Sequence, residues 1–272
     1  MRHPRDAPGV TAPETGPGAA PLLHVEGVTL QYKTPDHLVT ATYRVSFDIF
    51  PAERFVILGP SGCGKSTILK AIAGFMQPVE GEITLKGKPI RDPGPDRMMV
   101  FQEFDQLLPW KTVKHNVMFP MTENRVARAE AEKRALETIA KVNLTNFVDA
   151  YPHMLSGGMK QRCAIARAMA MKPDVLLMDE PYASLDALTR RRMQNELLQL
   201  WDDIRFTLVF VTHSIEEAVI LGSRILVLSP HPGQVRAELN SPGFAHDDRS
   251  GAAFHELTHK IHHMLFGDRP KG

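Results

Sequence analysis

Residues 55–67 read FVILGPSGCGKST, and this stretch decides the fold class. The four apolar residues Phe55–Leu58 form a run typical of a strand that is buried on both faces. The segment Gly59–Thr67 matches the pattern G-x-x-x-x-G-K-[ST], and a helix-compatible stretch begins at Lys65. A strand, a glycine-rich turn and a helix in this order predict a phosphate-binding loop, or P-loop. A plain glycine-rich turn with a surface lysine is the alternative.

The side chains of this loop have distinct predicted roles. Lys65 is expected to contact the β- and γ-phosphates of a nucleotide, and the Ser66 hydroxyl is expected to ligate Mg²⁺. The glycines let the backbone turn its N–H groups inward around phosphate oxygens. The residues predicted to bind nucleotide here are Gly59, Pro60, Ser61, Gly62, Cys63, Gly64, Lys65, Ser66 and Thr67.

Two more short apolar runs end in residues that do chemistry. Residues 175–178, VLLM, precede Asp179 and Glu180, and residues 207–211, TLVFV, precede a threonine and His213. Because parallel sheets bind ligands beyond the carboxyl ends of their strands, these side chains are expected to join the phosphate site.

Each of these three side chains has a predicted catalytic role and a structural alternative. Asp179 would hold the metal, Glu180 would face the attacking water, and His213 would bond the γ-phosphate and orient Glu180. The alternative is that the two acids cap the next turn and that the histidine is structural.

Helical patterns separate these strands, so the sequence predicts an α/β fold. They cover Lys65–Ala73, Arg125–Val142, Gly157–Met171 and Leu188–Ile204. Two stretches that alternate in polarity, residues 22–32 and 39–49, predict half-buried strands ahead of the P-loop.

The composition predicts the domain boundaries. Residues 1–21 are rich in Pro, Gly and Ala and are expected to be a disordered tail. Residues 22–240 would form the main domain, with a helical subdomain at about 104–170. Residues 241–272 would form a C-terminal tail with an amphipathic helix.

Bulk composition excludes several function classes. The 272 residues are 43% hydrophobic, with 32 Lys and Arg against 31 Asp and Glu, so a dedicated nucleic-acid surface is not expected. No apolar run approaches the length of a membrane span, and the two cysteines do not suggest a disulfide framework. The sequence therefore predicts a reduced, intracellular globular protein.

With these motifs in order, the chain resembles an ABC transporter ATP-binding subunit across Leu22–Leu239. The family's motifs are the P-loop, VFQEF, LSGGMKQR, VLLMDEP, SLD and VTHS. The resemblance implies a P-loop NTPase core of the ABC ATPase type, with an antiparallel β region and an inserted helical subdomain. It also implies ATP and Mg²⁺ as ligands and ATP hydrolysis as the reaction.

The resemblance assigns further residues. Gln102 of VFQEF would touch Mg²⁺ or the attacking water, and Tyr32 would stack on adenine unless it is simply a strand aromatic. The signature residues, expected to act in trans on the γ-phosphate of a second copy, are Leu155, Ser156, Gly157, Gly158 and Met159. The D-loop residues, of which Asp186 would help to join the two copies, are Ser184, Leu185 and Asp186.

One signature residue departs from the family pattern. Met159 stands where glutamine is commonest, and methionine cannot reproduce the hydrogen bonds of an amide. The Ser-Gly-Gly anion seat is intact, so activity is expected to be retained.

Two longer segments resemble those of the importers for nitrate, sulfonates, taurine and similar small nutrients. They are FQEFDQLLPWKTVKHNV and DEPYASLDALTR. This resemblance implies a homodimer at the cytoplasmic face of the membrane, bound to permease subunits and served indirectly by an external substrate-binding protein. The segment LLPW, residues 107–110, would dock on the permease, or its apolar side chains would be core. The alternatives are an exporter or lipid-transport subunit, or an ABC ATPase outside transport.

Two further features have open interpretations. His255 and His259 are spaced to share a metal, but the stripe Phe254, Leu257, Ile261 and Leu265 favours a plain amphipathic helix. Cys63 either is a reactive thiol that ATP protects or fills a variable position and is inert.

Overall fold

The computed structural model describes residues 20–33, 37–101, 106–241, 244 and 251–267. The chain folds as two compact units. Unit 1 comprises Met1–Pro93 and Thr207–Gly272, and unit 2 comprises Gly94–Phe206.

The elements follow one another along the chain and return to unit 1 at its end. Unit 1 begins with β1 (Leu23–Lys33), β2 (Leu38–Ile49), β3 (Arg54–Leu58), α1 (Lys65–Ile72), β4 (Glu80–Leu85) and β5 (Lys88–Pro89). Unit 2 contains β6 (Arg97–Val100), α2 (Val113–Glu123), α3 (Arg128–Lys141), α4 (Gly157–Met169), β7 (Val175–Asp179) and α5 (Ala187–Ile204). Unit 1 ends with β8 (Thr207–Thr212), α6 (Ile215–Leu221), β9 (Arg224–Leu228), β10 (Val235–Asn240) and α7 (Ala252–Phe266).

An antiparallel sheet in unit 1 has the strand order β2-β1-β4-β5. Its two long strands confirm the prediction that residues 22–32 and 39–49 are strands. Tyr32 pairs with Val39 near the end at which the chain passes from β1 to β2, and Leu23 pairs with Ile49 at the other end. Leu23 and Ile49 are fully buried, whereas Tyr32 is exposed.

The second group of strands in unit 1 is mainly parallel and has the order β10-β9-β3-β8. The side chains of Phe55–Leu58 on β3 and of residues 208–211 on β8 are fully buried, as their apolar runs predict. In the parallel register, Leu58 lies opposite Thr212. The P-loop and His213 therefore start from the carboxyl ends of neighbouring strands.

A buried arginine ties the strands of unit 1 together. Arg224 on β9 lies 3.2 Å from Glu53 and 3.1 Å from Glu238, and it also donates to the carbonyl oxygen of Asp48 at the end of β2. Because Arg224 is only 2% exposed, its charge needs these partners. The cluster fixes β2 beside β3, just ahead of the P-loop.

The described part of unit 2 contains two parallel strands, β6 and β7, four α-helices and two short 3-10 helices. Val100 pairs with Met178, and α2, α3 and α4 pack on one another. The described residues between Val100 and Val175 contain no strand. Within the described residues, no helix combines the length and the apolar character needed to cross a bilayer.

The predicted helices are present, with changed boundaries. The helix predicted from Arg125 begins at Arg128, because Arg125 has a left-handed φ of 62° that ends the preceding turn. Helix α2 was not predicted, because a proline, Pro120, lies inside it and its apolar residues form no clean stripe. The C-terminal helix α7 is amphipathic as predicted, and it buries Phe254, Ile261 and Leu265.

Candidate nucleotide-binding site

The P-loop of unit 1 has the backbone that phosphate binding requires. Gly62 and Gly64 have φ values of 80° and 94°, and α1 begins directly after Gly64. A methyl group on Gly64 would lie 2.6 Å from the carbonyl oxygen of Ala41. Both this contact and the left-handed φ exclude a side chain at this position. These two glycines turn the loop so that α1 presents its N-terminus at the end of β3.

Lys65 crosses this loop rather than extending into solvent. Its ammonium group donates to the carbonyl oxygens of Gly59 and Pro60, both at 3.0 Å, and the residue is only 4% exposed. The first turn of α1, Lys-Ser-Thr-Ile, carries no acidic residue, so its positive dipole end is not neutralised locally. A buried cation and a helix N-terminus together make a site that fits a polyphosphate.

His213 is held at the neighbouring strand end by a small network. The hydroxyl of Thr212 donates to Glu217 at 2.6 Å and accepts from the backbone N–H of Ser214 at 3.0 Å. The Ser214 hydroxyl accepts from the N–H of Glu217 at 3.3 Å. His213 itself is exposed, so the network fixes its backbone and leaves the ring accessible.

The sequence analysis did not identify Glu217 as the residue that anchors this turn. The signal is present in the sequence, because Ser214 and Glu217 have the S-x-x-E spacing of a helix-capping box. Glu217 departs from the usual box by accepting the Thr212 hydroxyl.

Two acids follow β7 in unit 2, and the second has an unusual backbone. Asp179 is the last residue of the strand and is half-buried. Glu180 has a φ of 42°, a left-handed value that costs a residue with a side chain on the order of 1–3 kcal/mol. Its carbonyl oxygen accepts from the N–H of Ala183 at 3.2 Å. Seven other described non-glycine residues also have a left-handed φ, so this value does not distinguish a catalytic glutamate from a turn residue, and the catalytic role stays a prediction.

The D-loop leads directly into α5. The Asp186 carboxylate accepts from the N–H groups of Leu188 at 3.1 Å and Thr189 at 3.0 Å. The pKa of Asp186 is lowered, first by a hydrogen bond from the Thr189 side chain and then by these backbone bonds. Leu185 is buried, and its carbonyl oxygen accepts from Arg190 at 2.9 Å. Ser184 is exposed. The geometry gives Asp186 a helix-capping role beside the contact role that the family resemblance implies.

The signature forms the N-terminus of α4. The exposed Ser156 is the cap, and its hydroxyl accepts from the N–H of Met159 at 3.4 Å. Leu155 and Gly158 are buried, and a methyl on Gly158 would lie 3.3 Å from Thr189. The cap uses only the backbone of Met159, so the unusual side chain leaves this anion seat intact.

The LLPW segment is core in part, and its docking on a permease stays a prediction. Leu107 is buried in unit 2, while Trp110 is 70% exposed. The buried Asn116 holds the turn between them, because its amide donates to the carbonyl oxygens of Leu108 and Lys111 at 3.1 and 2.9 Å. The N–H of Leu108 donates back to Asn116 at 2.8 Å.

Four other interpretations have different outcomes. Gln102 lies outside the described residues. Tyr32 is exposed in unit 1, and its stacking on adenine remains a prediction. Cys63 is fully buried, so the structure does not support ready alkylation of its thiol. His255 and His259 are exposed on α7, and among the described residues no group of three or more potential ligands could hold a metal.

The P-loop, the paired acids after β7 and the Ser-Gly-Gly helix start are the parts of an ATP-binding cassette. A family profile described as ABC transporter matches residues 42–183. The chain is 48% identical over 236 residues to the taurine import ATP-binding protein TauB of Rhizobium johnstonii, covering 84% of this chain and 89% of that protein. It is 43% identical over 213 residues to the bicarbonate transport ATP-binding protein CmpD of Synechocystis sp., covering 78% of this chain and 75% of that protein.

Solved structures agree with this result. The dimeric post-hydrolysis state of the ATP-binding cassette MJ0796, bound to ADP and Pi, matches with a TM-score of 0.70 and 34% identity, covering 82% of this chain and all of that one. The chain therefore belongs to the ABC transporter family, and it is an ATPase of the ATP-binding cassette fold.

Proposed function

We propose that this ATPase energises an importer for a small nutrient of the nitrate, sulfonate, taurine or bicarbonate type. Similarity to import proteins for taurine and bicarbonate supports this proposal. The exposed Trp110, presented on a turn that Asn116 holds, offers an apolar contact for a permease. The protein would work as a homodimer at the cytoplasmic face of the membrane, with permease subunits and, indirectly, an external substrate-binding protein.

The P-loop residues would bind the nucleotide and arrange the reacting phosphate. Lys65 would move from its loop carbonyls to the β- and γ-phosphates, and the loop N–H groups would surround their oxygens. The Ser66 hydroxyl and the Asp179 carboxylate are hard oxygen donors, the kind that Mg²⁺ prefers. Bound Mg²⁺ would neutralise the charge that develops on the phosphates.

Glu180 and His213 would carry the proton chemistry. The Glu180 carboxylate would take the proton of the attacking water, and His213 would hold the γ-phosphate. Gln102 would contact Mg²⁺ or the attacking water and relay that state to the permease. In the dimer, Ser156, Gly157 and Gly158 of one copy would close on the nucleotide of the other.

The observation that carries the hydrolytic part of this proposal is the position of Glu180, directly after the end of β7 and beside Asp179. Its test is Glu180→Gln, which keeps the shape of the side chain but removes the base. We expect ATP turnover to fall by about 10²–10⁴-fold, the usual contribution of a general base, while ATP still binds. The readout is phosphate release together with nucleotide affinity.

Glu137→Gln is the matched control, because Glu137 is an exposed acid on α3. Its turnover should equal that of the unmodified protein. Near-normal hydrolysis by the Glu180→Gln protein would exclude Glu180 as the base.

A further inference from the structure

Gly233 lies in the turn between β9 and β10 and touches the back of the P-loop. A methyl group at Gly233 would overlap the carbonyl oxygen of Cys63, a residue of the loop. Gly233 does not have a left-handed φ, so its backbone conformation is open to any residue. The absence of a side chain is therefore explained by the approach of the P-loop and not by the turn itself.

A short piece of β2 lies beside both the P-loop and Gly233. The N–H of Gly233 donates to the carbonyl oxygen of Ala41 at 3.0 Å, and the N–H of Tyr43 donates to Gly233 at 2.9 Å. The same piece limits the P-loop, because a methyl on Gly64 would lie 2.6 Å from the carbonyl oxygen of Ala41 and 2.6 Å from the Thr42 methyl. Both glycines thus approach Ala41 and Thr42 closely.

Thr42 occupies the middle of this contact and is fully buried. Among the described residues, its hydroxyl has no hydrogen-bond partner. An unpartnered buried hydroxyl costs on the order of 1–3 kcal/mol, so hydrogen bonding does not explain why this side chain is here. The presence of this side chain is explained by its methyl group, which packs towards Gly64.

We propose that Ala41, Thr42 and Gly233 form a buttress that holds the P-loop in its phosphate-binding shape. They are positioning residues, because they act through the backbone of Cys63 and Gly64 and not on the nucleotide. The buttress connects the β9–β10 turn, more than 160 residues along the chain from the P-loop, to the nucleotide site. This inference rests on the proposed role of the P-loop as the phosphate site.

The main test is Gly233→Ala in the full chain, with Mg-ADP as the probe. ADP keeps the measurement independent of hydrolysis and of closure on a second copy. The added methyl must displace Cys63, so we expect the dissociation constant to rise at least about tenfold, which corresponds to about 1.4 kcal/mol. Calorimetric titration gives affinity and stoichiometry, and thermal unfolding without nucleotide gives stability.

Gly222→Ala is the matched control. Gly222 is also buried without a left-handed φ, and its added methyl would lie 2.7 Å from the carbonyl oxygen of Ala218 and 3.1 Å from the Val56 side chain, with no P-loop residue among its nearest neighbours. We expect it to lower the melting temperature and to leave Mg-ADP affinity within about threefold, a change under 1 kcal/mol. Equal losses of affinity in both proteins would show a general effect of destabilisation and overturn the proposal.

Lys65→Ala separates the buttress from the site on which it depends. If Lys65→Ala loses affinity and Gly233→Ala keeps it, the P-loop site stands and the buttress is wrong. If Lys65→Ala keeps full affinity for Mg-ADP, the proposed phosphate site is wrong, and the buttress proposal, which depends on that site, is wrong as well.

A milder variant covers the case in which Gly233→Ala does not fold. Thr42→Ala removes the methyl that packs towards Gly64, and we expect affinity to fall by about threefold or more, or roughly 0.7 kcal/mol. Val45→Ala on the same strand removes fully buried methyl groups elsewhere and should affect stability alone. Unchanged affinity in the Thr42→Ala protein would contradict the buttress.

Discussion

Glu180 and Gly64 both have left-handed φ values, of 42° and 94°, for different physical reasons. At Gly64 the neighbouring backbone of Ala41 leaves no room for a side chain, so glycine is the only solution. At Glu180 the protein keeps a side chain in spite of the strain, although glycine would relieve it. Seven other described non-glycine residues, Arg125 among them, also have a left-handed φ, so the strain at Glu180 gains its meaning from the position of this residue directly after β7 and Asp179.

The two cysteines lead to a prediction about reactivity. Burial raises the pKa of the Cys163 thiol to about 12, and Cys63 is fully buried within the P-loop. Because the reactive form is the exposed thiolate, we expect neither thiol to react with a chromogenic disulfide reagent in the native protein. Both should react in guanidinium. Rapid labelling of native Cys63 that ATP suppresses would contradict this prediction and restore the reactive interpretation.

Residues differ in how much of their role the sequence reveals. Lys65, Asp179, Glu180 and Ser156 stand in dense local motifs, so their types and spacing were enough to assign roles to them. Gly233 and Asn116 act on residues that are distant in the chain or through backbone carbonyls. No local sequence pattern predicts such contacts, so only the three-dimensional structure shows them.

Among the elements, α2 shows how one polar side chain can organise an apolar surface. Asn116, on its first turn, is fully buried and makes four hydrogen bonds to the preceding loop, of which one is a donation to Thr112 at 3.1 Å. These bonds fix the turn that exposes Trp110 while Leu107 stays in the core. The sequence alone left both interpretations of LLPW open, because it does not show which way each side chain points.

Asn116→Ala should therefore both destabilise the protein and loosen this turn. The substitution leaves buried backbone groups without partners, so we expect unfolding free energy to fall by about 2–4 kcal/mol. Urea unfolding measures that loss. Quenching of Trp110 fluorescence by acrylamide, in a Trp201→Phe background that leaves Trp110 as the only tryptophan, measures the mobility of the turn.

Asn124→Ala provides the control on the same helix. Asn124 is exposed and donates one side-chain bond, to Pro120 at 2.9 Å, so its loss should cost under about 1 kcal/mol. Equal costs at the two positions, or unchanged quenching in the Asn116→Ala protein, would show that Asn116 does not organise the turn.

At the scale of the whole molecule, the chain has two candidate anion sites, or seats, one in each unit. Unit 1 contains the P-loop and His213, and unit 2 contains the acids after β7 and the signature. The order of motifs along the sequence was sufficient to predict the family and the α/β fold. It could not predict the Arg224 cluster or the strands β6, β9 and β10, whose pairing depends on distant parts of the chain. The presence of two seats is best explained by a dimer in which each seat completes the other's site.

Glu180→Gln, which should trap ATP, provides the background for testing this dimer. We expect it to be monomeric without nucleotide and dimeric with Mg-ATP, as measured by sedimentation. Substitutions at Ser156 then test whether the signature faces a phosphate. Both Asp and Asn can cap α4 as serine does, so the helix start is preserved in either variant. Only Asp places a negative charge where the γ-phosphate of the other copy would lie.

The double variant with Ser156→Asp should therefore remain monomeric in Mg-ATP, although each chain still binds nucleotide. The Ser156→Asn counterpart should dimerise at least about tenfold more tightly than the Asp protein, a difference of about 1.4 kcal/mol. Added salt should reduce this difference in dimerisation affinity, because it screens the repulsion between carboxylate and phosphate. If the Asp and Asn proteins dimerise equally well, Ser156 does not face a phosphate, and the second seat is only the capped N-terminus of α4.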